Sequence, residues 1–328
     1  MALSSNPVDG WEIDRSNHNR RAEELWRVQS EELFLEHLLL TLLRGKVFTI
    51  QGGREEFLRY ENLVLTIPAG AFAMGEKVSI TLQNLRTHGD FALSQVPMDF
   101  RGGNRFSLLE SAGMFHIAFA SERGVQMQPQ VEIGVELSSL NTGINPDFFK
   151  LQGGNWVQKQ KSVPGEADAR PASAGANEPQ TQETEGECLE GCEFTLYGKM
   201  DSSGWWNFDK PHPEYTCVKV RAAEPVDAVK AAGLDYFGVS FGQRASDGSF
   251  ELNVLKNKRL KIFAVRRPAK KRGGAVAALP EITTPATTAF AKGDGRCTEV
   301  GSLQLRDVPI EIFKKRDAFL RAIGMPEL

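Results

Sequence analysis

The sequence lacks any run of the roughly 18 apolar residues that a membrane-spanning helix needs, so a transmembrane helix is not expected. It lacks a large charge of either sign: 39 Lys and Arg stand against 42 Asp and Glu, a net charge of -3. That balance argues against global attraction to nucleic acid or to an anionic membrane. The start, MALSSNPVDGWEIDRSNHNRR, lacks the charged n-region and apolar core of a signal peptide, which leaves a cytosolic protein or a chain that begins after a removed signal. Catalytic signatures are missing too: no G-x-S-x-G, H-E-x-x-H, phosphate-binding P-loop or G-x-G-x-x-G occurs. Histidine is scarce, with five residues at positions 18, 37, 88, 116 and 212, none in a zinc-ligand pattern. Cysteine is scarcer still. Cys188, Cys192, Cys217 and Cys297 leave disulfides, free thiols and a metal site open. Cys188–Cys192 and Cys217–Cys297 are the natural pairings, but spacing does not choose among the three connectivities.

What is present is a globular composition. Hydrophobic residues make up 41% and charged residues 25% of 328, enough for two domains with real cores. Twenty Phe against four Tyr, with 31 Gly, suit packed sandwiches with tight turns. Residues 20–44 read as an amphipathic helix ended by Gly45. Leu25, Val28, Leu35, Leu39 and Leu42 fall at helical spacing, and further leucines make the second half apolar nearly all round. Such a helix must be covered. It docks on its own β-domain, or Leu35, Leu39 and Leu42 form a surface for a protein partner or for self-association.

From Lys46 the apolar period becomes two. Leu63, Leu65 and Ile67 alternate on one strand and Val78, Ile80 and Leu82 on another, with a Pro-Ala-Gly turn between. GMFHIAFA and VEIGVEL continue the pattern, and DFFKLQGGNWV reads as a hairpin with Gly153-Gly154 at its tip. Residues 159–187 are rich in Pro, Glu, Gln, Ser and Ala and read as a linker or an excursion between strands. Strands then resume through YTCVKVRA, YFGVSFGQ, SFELNVL, RLKIFAVRR and CTEVGSLQL, and PIEIFKKRDAFLRA reads as a short C-terminal helix. The expected fold is mainly β: two antiparallel sandwiches with an N-terminal amphipathic helix and a short C-terminal helix. The expected bounds are 1–45 for the start and helix, 46–157 for the first sandwich, 158–192 for the linker, 193–306 for the second sandwich and 307–328 for the last helix.

Gly52-Gly53, LVLTIPAGAF and VSITL resemble the β-sandwich module of ankyrins, netrin receptors and zonula occludens proteins. VFTI, TIPAGAF, LESAGMF and GWWNFD are similar to elements of bacterial extracytoplasmic proteins that carry a divergent copy of that module. Phe208 stands where such relatives often have a cysteine. DYFGVS, SDGSFELNV and LKIFAV look like a carboxypeptidase-regulatory, transthyretin-like sandwich. These resemblances imply a periplasmic or cell-surface protein, non-enzymatic, with a scaffold or adhesion role and no cofactor. Some eukaryotic relatives cleave themselves at a His-Ser-type bond; His116 is followed by Ile117, so no such cleavage is expected.

Three features carry functional alternatives. SSGWWNFDKPHPEY is expected to start the second sandwich with one tryptophan in and one out. Trp205, Trp206 and Asp209 are then either core and turn residues or a stacking site for an envelope polysaccharide. The run 256–272 holds Lys258, Lys261, Arg266, Arg267, Lys270, Lys271 and Arg272 among its basic residues. It is a solvated strand edge or a reader of anionic groups, with nucleic acid disfavoured because no aromatics interleave the charge. Asp247, beside Gly248, is a hairpin turn residue rather than a calcium ligand.

Overall fold

The computed structural model describes residues 39, 41–102, 105–121, 124, 131–141, 144–161, 195–268, 273–291 and 296–325. The architecture is mainly β, as expected, with four sheets in two sandwiches. The first sheet orders β1 (Gly45–Gln51), β4 (Lys77–Leu85), β6 (Arg105–Ala120), β11 (Gly204–His212), β8 (Asp147–Gln152) and β9 (Asn155–Gln160), with β5 (Asp99–Gly102) on one end of β6. The second orders β10 (Thr195–Met200), β7 (Ile133–Ser138), β3 (Leu63–Ile67) and β2 (Glu56–Tyr60). All their pairings are antiparallel. Alternation explains the packing. Leu63, Leu65 and Ile67 of β3 meet Val78, Ile80 and Leu82 of β4 in one apolar cluster, while the residues between them face outward.

The second sandwich pairs β15 (Gln243–Arg244), β16 (Phe250–Leu255), β12 (Tyr215–Ala222) and β20 (Thr298–Leu303) in one sheet. Opposite lie β14 (Val239–Phe241), β13 (Ala228–Gly233), β17 (Arg259–Arg266), β18 (Gly274–Ala278) and β21 (Arg306–Val308), with β19 (Ile282–Thr283) beside β17. Val218, Val220, Leu252, Val254, Leu260 and Ile262 build its interior. β20 runs parallel to β12. Cys217 in β12 and Cys297 just before β20 stand at disulfide distance, with Cα atoms 4.7 Å apart. Cys188 and Cys192 lie outside the described residues.

A third apolar cluster lies between the sandwiches. It joins Leu109, Met114 and Phe149 from the outer face of the first sheet to Phe263, Val265 and Val276 from the outer face of the sheet containing β17. The β17 run Leu260–Val265 is therefore covered on both sides, which its unbroken apolar stretch IFAV reflects. Two helices complete this layer: α1 (His88–Leu93) and α2 (Arg316–Ala322), the latter preceded by a 3-10 turn at Ile310–Lys314. Gly324, at φ +72, ends α2, and Met325 donates its backbone N–H to Leu320 O at 2.8 Å.

One expectation changes. β10 and β11 pair within the first sandwich, so GWWNFDKPH is not the first strand of the second sandwich but a central strand of the first. β11 ends at His212 in a sheet of the first sandwich and β12 begins at Tyr215 in a sheet of the second, and the polar stretch after β9 connects two strands of the same sandwich. The physical reason is that β11 is apolar on both faces, Trp206 and Phe208 on one and Trp205 on the other, which suits an internal position between β6 and β8. The stretch 86–98 holds an element not among those expected. This stretch has no strand period, yet Thr87 and Asp90 form a capping box that starts α1.

Most of the expected N-terminal helix lies outside the described residues, Leu35 among them. Leu39, Leu42 and Leu43 are buried in the cluster between the sandwiches. Leu39 and Leu42 are thus covered by their own chain, as an apolar helix face requires.

Candidate functional site at the sandwich junction

The polar groups with unusual environments gather where β6 and β11 meet the second sandwich. The pairing shifts there: Phe208 faces Gly113 but Asp209 faces Ser111, which leaves Ala112 as an extra residue in β6. The bulge frees backbone groups for other elements. Leu140 donates its N–H to Ala112 O at 2.8 Å, and Ser111 donates its N–H to Phe237 O of the second sandwich at 2.9 Å. Ser111 Oγ accepts from the Gly113 N–H at 3.0 Å and donates to Asn207 Oδ1 at 2.7 Å. Asn207 Nδ2 donates in turn to Asp209 Oδ2. Asp209 Oδ1 is buried with no hydrogen-bond partner among the described residues. Burial pushes the Asp209 carboxyl well above the usual carboxylate range; the Glu110 charge adds to this, and the Ser111 and Asn207 hydrogen bonds oppose it.

Glu110, one residue along β6, has the opposite character. Desolvation would raise its carboxyl, but the hydrogen bond and charge of His212, with the charges of Lys258 and Lys210, outweigh it and hold Glu110 below the usual range. Its Oε2 lies 2.6 Å from His212 Nε2, its Oε1 accepts from Asn141 Nδ2 at 3.1 Å, and Lys258 Nζ stands 4.0 Å away. The pKa values of two neighbouring carboxyls are thus driven apart, Asp209 upward by burial and Glu110 downward by its cationic and hydrogen-bonding neighbours. Asp209 itself has no exposure to solvent and cannot meet a substrate from outside.

The second sandwich is fastened to α1 at both ends of that helix. Arg316 Nη1 of α2 lies 2.7 Å from Asp90 Oδ1, and its Nη2 donates to Thr87 Oγ1 at 3.2 Å. At the other end, Lys230 of β13 is fully buried and donates from Nζ to Ser94 O at 2.8 Å and Ala92 O at 3.3 Å, with the Phe241 ring 4.8 Å away. A cation at carbonyls ending a helix is favourably placed. Nothing in a period-two reading of AVKAAG singles out Lys230; a lysine amid Val and Ala on a strand buried on both faces is the one signal that marks it.

The residues singled out from the sequence come to different places. Trp206 packs on Phe148 inside the first sandwich, at 5.1 Å between ring centroids, and Lys150 Nζ covers it at 5.1 Å. Trp206 and Asp209 are buried, which removes both from a surface stacking site; Trp206 lies on the face of β11 that turns into the interior of the first sandwich. Trp205 emerges on the opposite face, half-buried, with His116 as its cross-strand partner and the two rings 5.0 Å apart. Of the basic run, Arg266 pairs with Glu224 at 2.6 Å and Asp307 at 2.7 Å, Arg267 with Asp227 at 3.2 Å, and Lys258 with Glu110. Lys261 lies against Gly324, and Lys270, Lys271 and Arg272 lie outside the described residues. These partners spread along several elements, so the described part of the run is a set of local ion pairs rather than one bare cationic surface. Asp247 accepts from the Ser249 N–H at 3.1 Å and from its hydroxyl, as a turn residue does.

Among the described residues no group of three or more His, Cys, Asp or Glu side chains is placed to hold a metal ion, and no helix is long and apolar enough to cross a membrane. No protein-family model and no curated protein matches the chain.

Proposed function

We propose that the protein is a non-enzymatic scaffold or adhesion component of the cell envelope, in which two sandwiches act as one rigid spacer. The observation that carries this reading is the double fastening of α1 by Arg316 and Lys230, set in an apolar layer that continues from one sandwich into the other. An interface of that kind resists the relative motion that loosely linked domains show by default. The neighbouring carboxyls serve the same end: Glu110 is engaged by His212, Asn141 and Lys258, and Asp209 is sealed. The Cys217–Cys297 pair supports a location in an oxidising compartment. The likeness to ankyrin-type and transthyretin-like sandwiches belongs to the same proposal.

The test has two arms. Cross-linking in the source cell is expected to capture envelope components on exposed lysines such as Lys46 and Lys199. A panel of ester, glycoside and peptide substrates is expected to give no turnover that Glu110→Gln or Asp209→Asn removes. Turnover lost in either variant would make the junction a catalytic site and end the proposal.

A second reading is favoured by one observation, the half-buried Trp205 beside His116 on a sheet face. Stacking of a sugar ring on Trp205 suits an envelope polysaccharide ligand. Fluorescence titration with such polysaccharides decides it: a saturable shift lost in Trp205→Ala supports it, and no shift rules it out.

A further inference from the structure

The segment 234–238, LDYFG, joins the second sandwich to β6 of the first through the backbone. Phe237 O accepts the Ser111 N–H at 2.9 Å, and Tyr236 is buried against Leu108 and Leu255. Phe237 lies flat on His88 of α1, with ring centroids 4.5 Å apart and planes 11° apart, and 5.7 Å from Phe91. His88 Nδ1 is buried with no hydrogen-bond partner among the described residues. A neutral imidazole suits this contact. An imidazolium suits it less: besides any N–H that reaches the Tyr236 carbonyl, it would carry a buried Nδ1–H with no acceptor among the described residues.

We infer that the junction is acid-sensitive, with His88 as the group whose protonation releases the 234–238 segment from α1. This goes beyond a scaffold role and adds a condition under which the two sandwiches part locally. Burial lowers the His88 pKa from its ordinary value of 6.5, against a hydrogen bond the imidazole donates to the Tyr236 backbone carbonyl and the charge of Asp235, and with the charge of Arg259. The facing charges are mutually engaged. Asp235 accepts from the Arg259 backbone N–H at 3.2 Å and lies 3.8 Å from its Nε. Asp90, on α1 itself, is paired with Arg316 of α2. Across β6, Glu110 is held by His212 and Lys258, and on β13 the Lys230 ammonium adds a like charge to the layer. No carboxylate among these is left over to receive a charged His88.

The sign follows from linkage. A histidine whose pKa is lowered on folding stabilises the docked state above its ordinary 6.5 and withdraws that support as pH falls through the lowered value. Glu110, held below the usual carboxylate range, stays charged in that window. Release is therefore local, with Arg316 and Lys230 still fastened.

Hydrogen exchange of the full chain at pH 7.5 and 5.0, corrected for intrinsic rates, reads this directly. Protection of the Ser111 amide and of 233–238 is expected to fall severalfold on acidification. His88→Phe keeps the stack and cannot charge, and is expected to hold protection at pH 5.0; His88→Asn gives the same readout should the Phe variant fold poorly. His88→Lys is expected to lose protection already at pH 7.5. Equal protection at both pH values in the unaltered chain, or the same acid loss in His88→Phe and His88→Asn, would overturn the inference. An NMR titration of His88 above 6.5 would do so as well.

Discussion

The interior of the first sandwich and the layer between the sandwiches are both apolar, yet they are built differently. Between β3 and β4 the chain places aliphatic side chains in register, and Trp206, Phe148 and Phe208 stack beside them. Between the sandwiches the apolar cluster takes in Lys230, the Asp90–Arg316 pair, and at its edge Glu110 and Asp209. Hydrophobic side chains bury themselves without direction, so they can hold two sheets together and still allow sliding. A cation on two carbonyls or an arginine on a carboxylate fits only one geometry. The interior makes the fold stable; the junction makes one arrangement of two folds specific.

Breaking the interior should cost most. Trp206→Ala removes a fully buried side chain and is expected to lose about 3–5 kcal/mol in denaturant unfolding. Breaking the junction comes next. Arg316→Ala strands Asp90, whose side chain is 7% exposed, and should lose about 3 kcal/mol, whereas replacing both partners with apolar residues should restore much of it. Lys230→Met keeps the volume but leaves the Ala92 and Ser94 carbonyls unpaired, for a loss of about 1–3 kcal/mol. Asp209→Asn sharpens the contrast by going the other way. Because the folded-state pKa of Asp209 is raised, its support for the fold exists at pH below the ordinary carboxylate value and is lost as pH rises through the raised one. The amide escapes that loss, so the variant should gain stability relative to the parent as pH rises, seen in melting temperature against pH. The smallest effect belongs to the surface: Arg266→Ala, in a pair screened by solvent, should change stability by no more than about 1 kcal/mol.

The sequence reveals the interiors far better than the junction. Alternation in LVLTI and VSITL is enough to place strands, and Gly153-Gly154 and Asp247-Gly248 mark hairpins whose glycines do take positive φ. The same rule misplaces β11, because the polar stretch before it looks like a break between domains while its pairing partners, β6 and β8, lie upstream. Period two shows which faces are buried, not which sheet buries them. α1 is legible only through the Thr87–Asp90 capping box, a short signal inside a stretch without period. Of the expected site residues, Trp205 is half-buried against the layer between the sandwiches, and Trp206 and Asp209 are buried. His88 and Arg316 become visible only when two distant stretches are brought together, at separations no local pattern spans.

Calorimetry of the intact chain tests the central claim most directly. If the junction locks the two sandwiches into one body, unfolding is a single cooperative transition whose calorimetric and van't Hoff enthalpies agree, and Lys230→Met or Arg316→Ala splits it or shifts it as a whole. Two resolved transitions in the unaltered protein, both insensitive to those substitutions, would show that the sandwiches melt independently and that the contacts at α1 do not join them.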